Sequence, residues 1–211
     1  MDPELRAKID HFVYATPDLP GTIDALAQLL GVRATLGGQH LDHGTRNALI
    51  GLGPECYLEI IGPDSELPAP AHPRWFGIDS LDEPRLVAWA ARAPSIDDLW
   101  RTARAQGLLL GPIAEGKRRR ADGSWLYWRY TEPMTNADVA GPFLIDWGES
   151  IHPARDAAPG CTLVDFFIQH IDVESARRTL GVLRLHPRVQ PGSVSALAAV
   201  IDSPNGRVTL R

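Results

Sequence analysis

Residues 12–31 read FVYATPDLPGTIDALAQLLG, and residues 87–107 read VAWAARAPSIDDLWRTARAQG. Laid side by side, they share one shape: an apolar β-rich run, a proline, a capped helix and a closing glycine. In the first, Asp18 is placed as N-cap, Pro20 suits the first helical turn, and Ile23, Leu26, Ala27, Leu29 and Leu30 recur at helical spacing up to Gly31. In the second, Ser95 is the N-cap, Asp98 stands at N3 in the manner of a capping box, and Gly107 is the stop. A repeat of one supersecondary unit decides the fold before any single element does.

Each repeat continues as strands. After the first helix, VRATL (32–36) reads as a short strand and GGQHLDHG (37–44) as a turn or loop, with Gly37-Gly38 at positive φ. TRNALIGLG (45–53) and CYLEIIGP (56–63) read as two strands broken at Gly53-Pro54. After the second helix, LLLGPIAEGKRRR (108–120), SWLYWRYT (124–131) and GPFLIDWG (141–148) supply three strands, with Asp122-Gly123 as the hairpin turn. The order β-α-β-β-β thus occurs twice, over 1–64 and 85–150, joined by a Pro-rich linker at 65–84. Beyond a second linker at 151–160, residues 161–211 carry a partial third unit, β-α-β-β, whose last hairpin turns at Asn205-Gly206. Its expected role is to cover an edge or end of the main sheet. The fold class is α+β: paired βαβββ modules curled around a mixed-sheet cleft, with the third module packed into the same compact body.

Composition sets limits. The 211 residues carry a formal charge of −5, with 44% hydrophobic and 22% charged. That is a globular composition, and its acidity argues against nucleic-acid binding. The one basic run, Lys117-Arg118-Arg119-Arg120, reads as a solvated hairpin tip, with contact to an anion as the second choice. Cys56 and Cys161 form no CxxC pair. No stretch reaches the roughly 18 apolar residues of a membrane span, and the start is polar. A cytoplasmic setting with no membrane partner is expected. No P-loop, GxGxxG or Ser/His/Asp order is present, so no nucleotide cofactor is expected.

Three segments, IDHFVYATPDLPG (9–21), GGQHLDHGTRNALIGLG (37–53) and CYLEIIGP (56–63), together resemble the glyoxalase-like domain proteins. These belong to the vicinal oxygen chelate superfamily of glyoxalases, bleomycin-resistance proteins and dihydroxybiphenyl dioxygenases. The resemblance is closest over 9–62 and extends to about residue 150. It implies an eight-stranded cleft with a divalent metal (Zn, Ni, Mn, Fe or Mg) held from the first and last strands of each unit. A substrate chelated through two oxygens would undergo metal-assisted isomerisation, lyase chemistry or oxygenation. Mapped onto this sequence, the first-unit ligands are His11 and Glu59. In the second unit Ala88 stands opposite His11 and offers no donor. Asp146 is the possible third ligand, but it lies two residues before its glycine where Glu59 lies three, and a one-residue slip turns a strand residue to the other face.

The resemblance also marks His40 as an acid/base or hydrogen-bonding group, with Glu59, and Asn47 as a donor to a substrate carbonyl. Trp128 and Trp147 are expected on an aromatic cleft wall. Trp75, Trp89 and Trp100 read as core and His43 as solvated, while His72, His152, His170 and His186 receive no role. Two functions remain open at this stage. One is a metal-assisted enzyme acting on a small oxygenated substrate. The other is a non-enzymatic protein that sequesters small molecules, favoured by Ala88 and the tryptophans. Exchange of units between chains, known in this superfamily, leaves a homodimer open.

Overall fold

The computed structural model describes residues 7–93, 95–120, 123–133 and 138–211. Pro94 and Asp122, both used in the sequence reading, lie outside them.

The first unit comprises β1 (Lys8–Ala15), α1 (Leu19–Leu30), β2 (Thr35–His40), β3 (Thr45–Gly53) and β4 (Cys56–Pro63). The second comprises β5 (Arg85–Arg92), α2 (Ile96–Ala105), β6 (Ile113–Arg120), β7 (Trp125–Thr131) and β8 (Phe143–Asp146). Both expected caps form: Asp18 accepts from the Gly21 N–H at 3.1 Å, and Ser95 Oγ from the Asp98 N–H at 3.3 Å. Gly31 takes the left-handed conformation that ends α1.

The two units close on each other as a barrel of eight strands, ordered β1-β4-β3-β2-β6-β7-β8-β5. Within each unit the first strand runs parallel to the last. Two antiparallel seams join the units. β1 pairs with β5 along its length, whereas among the described residues β2 and β6 share Gly38↔Arg120 and Gln39↔Arg119.

That second seam explains GGQH differently from the sequence reading. Gly37 and Gly38 are extended strand residues of β2, not a turn at positive φ. A Cβ on Gly37 would sit 2.2 Å from Asn47 Oδ1, and one on Gly38 would sit 2.2 Å from the Arg119 carbonyl oxygen. The glycines are there for close approach of backbones.

The third unit has one strand more than its sequence pattern indicates: β9 (Thr162–His170), α3 (Val173–Val182), β10 (Arg188–Pro191), β11 (Ala196–Ser203) and β12 (Gly206–Leu210). Its sheet runs β10-β9-β11-β12, so it does not repeat the strand order of the other two. A closed barrel has no edge to cover, and the third unit instead packs on the outside of β1 and β5. Phe166 lies 4.8 Å from the Phe12 ring and 5.1 Å from that of Trp89. Phe12 and Trp89 are fully buried, and each such ring contributes roughly 1.5–3 kcal/mol. The Asn205 turn is pinned to α1 by a 2.8 Å bond to the Gln28 carbonyl.

Neither linker is inert. Between β4 and β5, a 3-10 turn at Trp75–Ser80 brings Trp75 and Phe76 to the barrel mouth. After β8, Ala158 bridges Ile50 on β3, and Pro153–Arg155 forms another 3-10 turn. Among the described residues no helix is long and apolar enough to cross a membrane.

The seam geometry makes a prediction. Gly38→Ala is expected to lower unfolding free energy by about 2–3 kcal/mol, because a backbone carbonyl cannot swing aside as a side chain can. In urea titrations Gly181→Ala, at an unobstructed helical site, serves as control and should be neutral or stabilising. A Gly38→Ala change within about 0.5 kcal/mol of zero would contradict the close-approach reading.

Candidate active site

The barrel interior holds a cleft of about 460 Å³, counting its open mouth. His11, His40, Asn47 and Glu59 all line it, as do Trp128 and Trp147. Asp146 does not. Its neighbours Ile145 and Trp147 face the cleft, so strand alternation turns Asp146 outward, where it accepts from the Gly148 N–H at 2.9 Å and stands opposite Arg129. The proposed ligand set His11, Glu59 and Asp146 therefore does not converge.

β1 places the most unusual pair. Its register against β5 shifts between Ile9 and His11, and this bulge buries two successive polar residues, Asp10 and His11. The Asp10 carboxylate gathers four donors. His11 Nδ1 lies 2.7 Å away, His152 Nε2 3.0 Å, Trp147 Nε1 3.1 Å, and Arg92 Nε forms an ion pair at 3.6 Å. Burial alone would raise its pKa, but the hydrogen bonds from His11 and His152 outweigh that and hold the carboxyl well below the usual range. An ionised Asp10 accepts only. In the neutral His11 ring Nδ1 must then carry the hydrogen, leaving the Nε2 lone pair toward Glu59, whose Oε2 is 3.8 Å away. Tyr57 stacks on the His11 ring at 4.6 Å and keeps it flat against the wall.

Glu59 enters from β4 and is clamped from β3. Asn47 Nδ2 donates to Glu59 Oε1 at 2.6 Å, and Asn47 Oδ1 accepts from the Gly38 N–H at 2.9 Å. Asn47 thus positions Glu59, where the sequence reading had it donate to a substrate. His40 ends β2, with Nδ1 3.1 Å from the Thr45 hydroxyl and its ring edge-on to Trp128. Burial, then the positive charges of Arg118 and His43, push its pKa down to about 3.

Several residues go beyond the sequence reading. Arg118 is not at a solvated tip: alternation on β6 sends it inward, 5% exposed, while Lys117 and Arg119 face water. Trp75 lines the cleft, and His43 is stacked on it at 3.4 Å between centroids instead of lying in solvent. His152 reaches Asp10, and His170 binds Asp138. Trp89 is core as expected, with Nε1 bonded to the Val139 carbonyl.

The divalent metal that the resemblance implies can be tested against the donors present. Val13 and Ala90 occupy equivalent places before their N-caps. Val13 is in register with Glu59, and Ala90 with Phe143. The second-unit counterparts of His11 and Glu59 are therefore Ala88 and Phe143, neither of which can ligate. Of the first-unit donors, Glu59 already accepts from Asn47, and a buried guanidinium stands nearby. Among the described residues no group of three or more His, Cys, Asp or Glu is placed to hold an ion. This donor set does not fit a metal centre of the superfamily type.

The depressed His40 makes stability pH-dependent. Below pH 6.5 an unfolded chain protonates this imidazole, whereas the folded protein resists doing so until about 3. Stability is fully present above that window and falls on acidification, by up to about 1.4 kcal/mol per pH unit from this group. Urea unfolding between pH 7 and 5 should show that slope, shallower in His40→Gln. Equal slopes would contradict a buried neutral His40.

Comparison with known proteins places this geometry in a family. The model of the glyoxalase-like domain matches residues 9–183. A hypothetical protein from Staphylococcus aureus shares 13% identity at a TM-score of 0.60, over 96% of this chain and 84% of that one. Methylmalonyl-CoA epimerase from Mycobacterium tuberculosis shares 22% at 0.46, over 69% and 89%. A Streptomyces coelicolor methylmalonyl-CoA epimerase variant with 2-nitronate-propionyl-CoA shares 20% at 0.48, over 68% and 96%. No curated protein matches. The likeness to the Staphylococcus aureus protein speaks for the fold alone, and the activities in the other names belong to those proteins. With the family model matched over most of its length, the chain belongs to the glyoxalase-like domain family of the vicinal oxygen chelate superfamily.

Proposed function

We propose that the protein is a small-molecule enzyme of the isomerase or lyase kind, which moves a proton at a carbon beside a carbonyl. The observation that carries this is the buried Asp10–His11 pair, with Nε2 of His11 aimed into the cleft beside Glu59. A carboxylate behind an imidazole fixes its tautomer and favours the cationic form that proton abstraction creates. His11 takes the proton from carbon, and Glu59, held by Asn47, is placed to exchange it with His11. When Thr45 donates to Nδ1 of His40, Nε2 of that ring carries a hydrogen for the substrate oxygen. The aromatic wall of Trp128, Trp147 and Tyr130 excludes water and orients the carbon skeleton. No step passes through a metal, since the donors fall short of one.

The second reading is a sequestering protein, supported by the same aromatic wall. Hydrogen exchange separates the two. A panel of 2-oxo and 2-hydroxy carbonyl compounds in D₂O, followed by proton NMR, should show enzyme-dependent loss of the α-hydrogen signal for some member. His11→Asn should slow that exchange by about 10²–10⁴-fold, and Asp10→Asn by at least about 10²-fold through the wrong tautomer. Binding with no exchange anywhere in the panel, or exchange untouched by His11→Asn, would leave the sequestering reading.

A further inference from the structure

The cleft contains a charge that no described residue neutralises at close range. Arg118 is 95% buried by its 5% exposure and lines the cleft. Among the described residues it has no hydrogen bond and no ion pair. Every other buried charge at the site is partnered: Asp10 by His11, His152, Trp147 and Arg92, and Glu59 by Asn47. Glu59 and Tyr57 act on Arg118 only through space.

Burial lowers the Arg118 pKa, yet a guanidinium starts so high that it stays charged at neutral pH. A buried, unpaired cation is expensive, and a fold retains it where a ligand completes it. The backbone makes room for it. Arg118 Nη1 would lie 2.9 Å from a Cβ on Gly38 and 3.3 Å from one on Gly37. The two glycines that allow the β2–β6 seam thus also open the floor on which the guanidinium rests. The cleft that Arg118 lines is walled by Trp128, Tyr130 and Ile145. Such walls raise the strength of a charge–charge contact at the same place.

We infer that Arg118 is the anion-binding subsite of the cleft, and that the molecule bound there is a small organic carboxylate. The planar fork of the guanidinium matches the two oxygens of a carboxylate. This deepens the proton-transfer reading by naming the substrate class, but the binding it describes requires no turnover.

The test is calorimetric titration of the intact protein with acetate, pyruvate, phenylpyruvate and mandelate, each against its neutral amide at millimolar concentration. At least one carboxylate should bind more tightly than its amide, by roughly tenfold or more. Arg118→Gln should abolish that preference, and Arg118→Lys should keep part of it. Thermal unfolding supplies a second readout. Relief of an unpaired buried charge should leave the melting temperature of Arg118→Gln unchanged or higher, where loss of a structural bond would lower it. Equal binding of acid and amide, a preference that survives Arg118→Gln, or no binding by any carboxylate would overturn the proposal. If the Arg118-dependent preference holds while no hydrogen exchange occurs, only the catalytic reading falls. If exchange holds without the preference, only the carboxylate subsite falls.

Discussion

A single buried carboxylate organises this protein's interior. Asp10 sits where two successive residues of β1 both turn away from water, an arrangement the bulge against β5 makes possible. Isolated, such a charge would be too costly to keep. It is kept because contacts from four parts of the chain converge on it: His11 beside it, Arg92 on β5, Trp147 after β8, and His152 in the following turn. The second unit and the segment beyond it thereby reach back to the first strand. The same contacts that stabilise the charge also set the His11 ring and expose one nitrogen of it to the cleft.

The duplicated architecture is used asymmetrically. The first unit supplies the polar machinery, His11, His40, Asn47 and Glu59. The second supplies Phe143, Ile145, Trp128 and Trp147, with Arg118 as the one charged contribution among its described residues. Where two symmetric halves would each offer ligands to a metal, here one half has become an apolar wall bearing a cation. A guanidinium does part of what a metal ion does, because it offers fixed positive charge to developing or resident negative charge, and it does so without a coordination shell. The third unit takes no part in the cleft. It buries Phe12 and Trp89 from outside, and so holds the strands that carry the site.

The sequence made the repeat legible because caps and stops are local chemistry. Asp18, Ser95 and Gly31 act within one helical turn of themselves. Glu59 was legible for a related reason: one carboxylate among apolar strand neighbours must be facing something. Arg118 was hidden in a run of four cations, where only the strand's phase on β6 separates the buried guanidinium from Lys117 and Arg119, which face water. Gly37-Gly38 looked like a turn because glycine permits both positive φ and close approach, and only the neighbouring strand tells which is needed. Asp10 looked like the polar fringe of a strand, since nothing local announces a bulge. Asp146 failed by the one-residue offset that its distance from Gly148 had already exposed.

The proposed chemistry depends on the state of the Asp10–His11 pair. Nitrogen-15 NMR of the histidine side chains, with His11 assigned through His11→Asn, reads it directly. In its neutral form the His11 ring should show a protonated Nδ1, with a strongly deshielded proton in its short bond to Asp10, and an Nε2 that bears no hydrogen. A protonated Nε2 with a bare Nδ1 would mean that Asp10 does not hold the ring as described, and the site would lose its base.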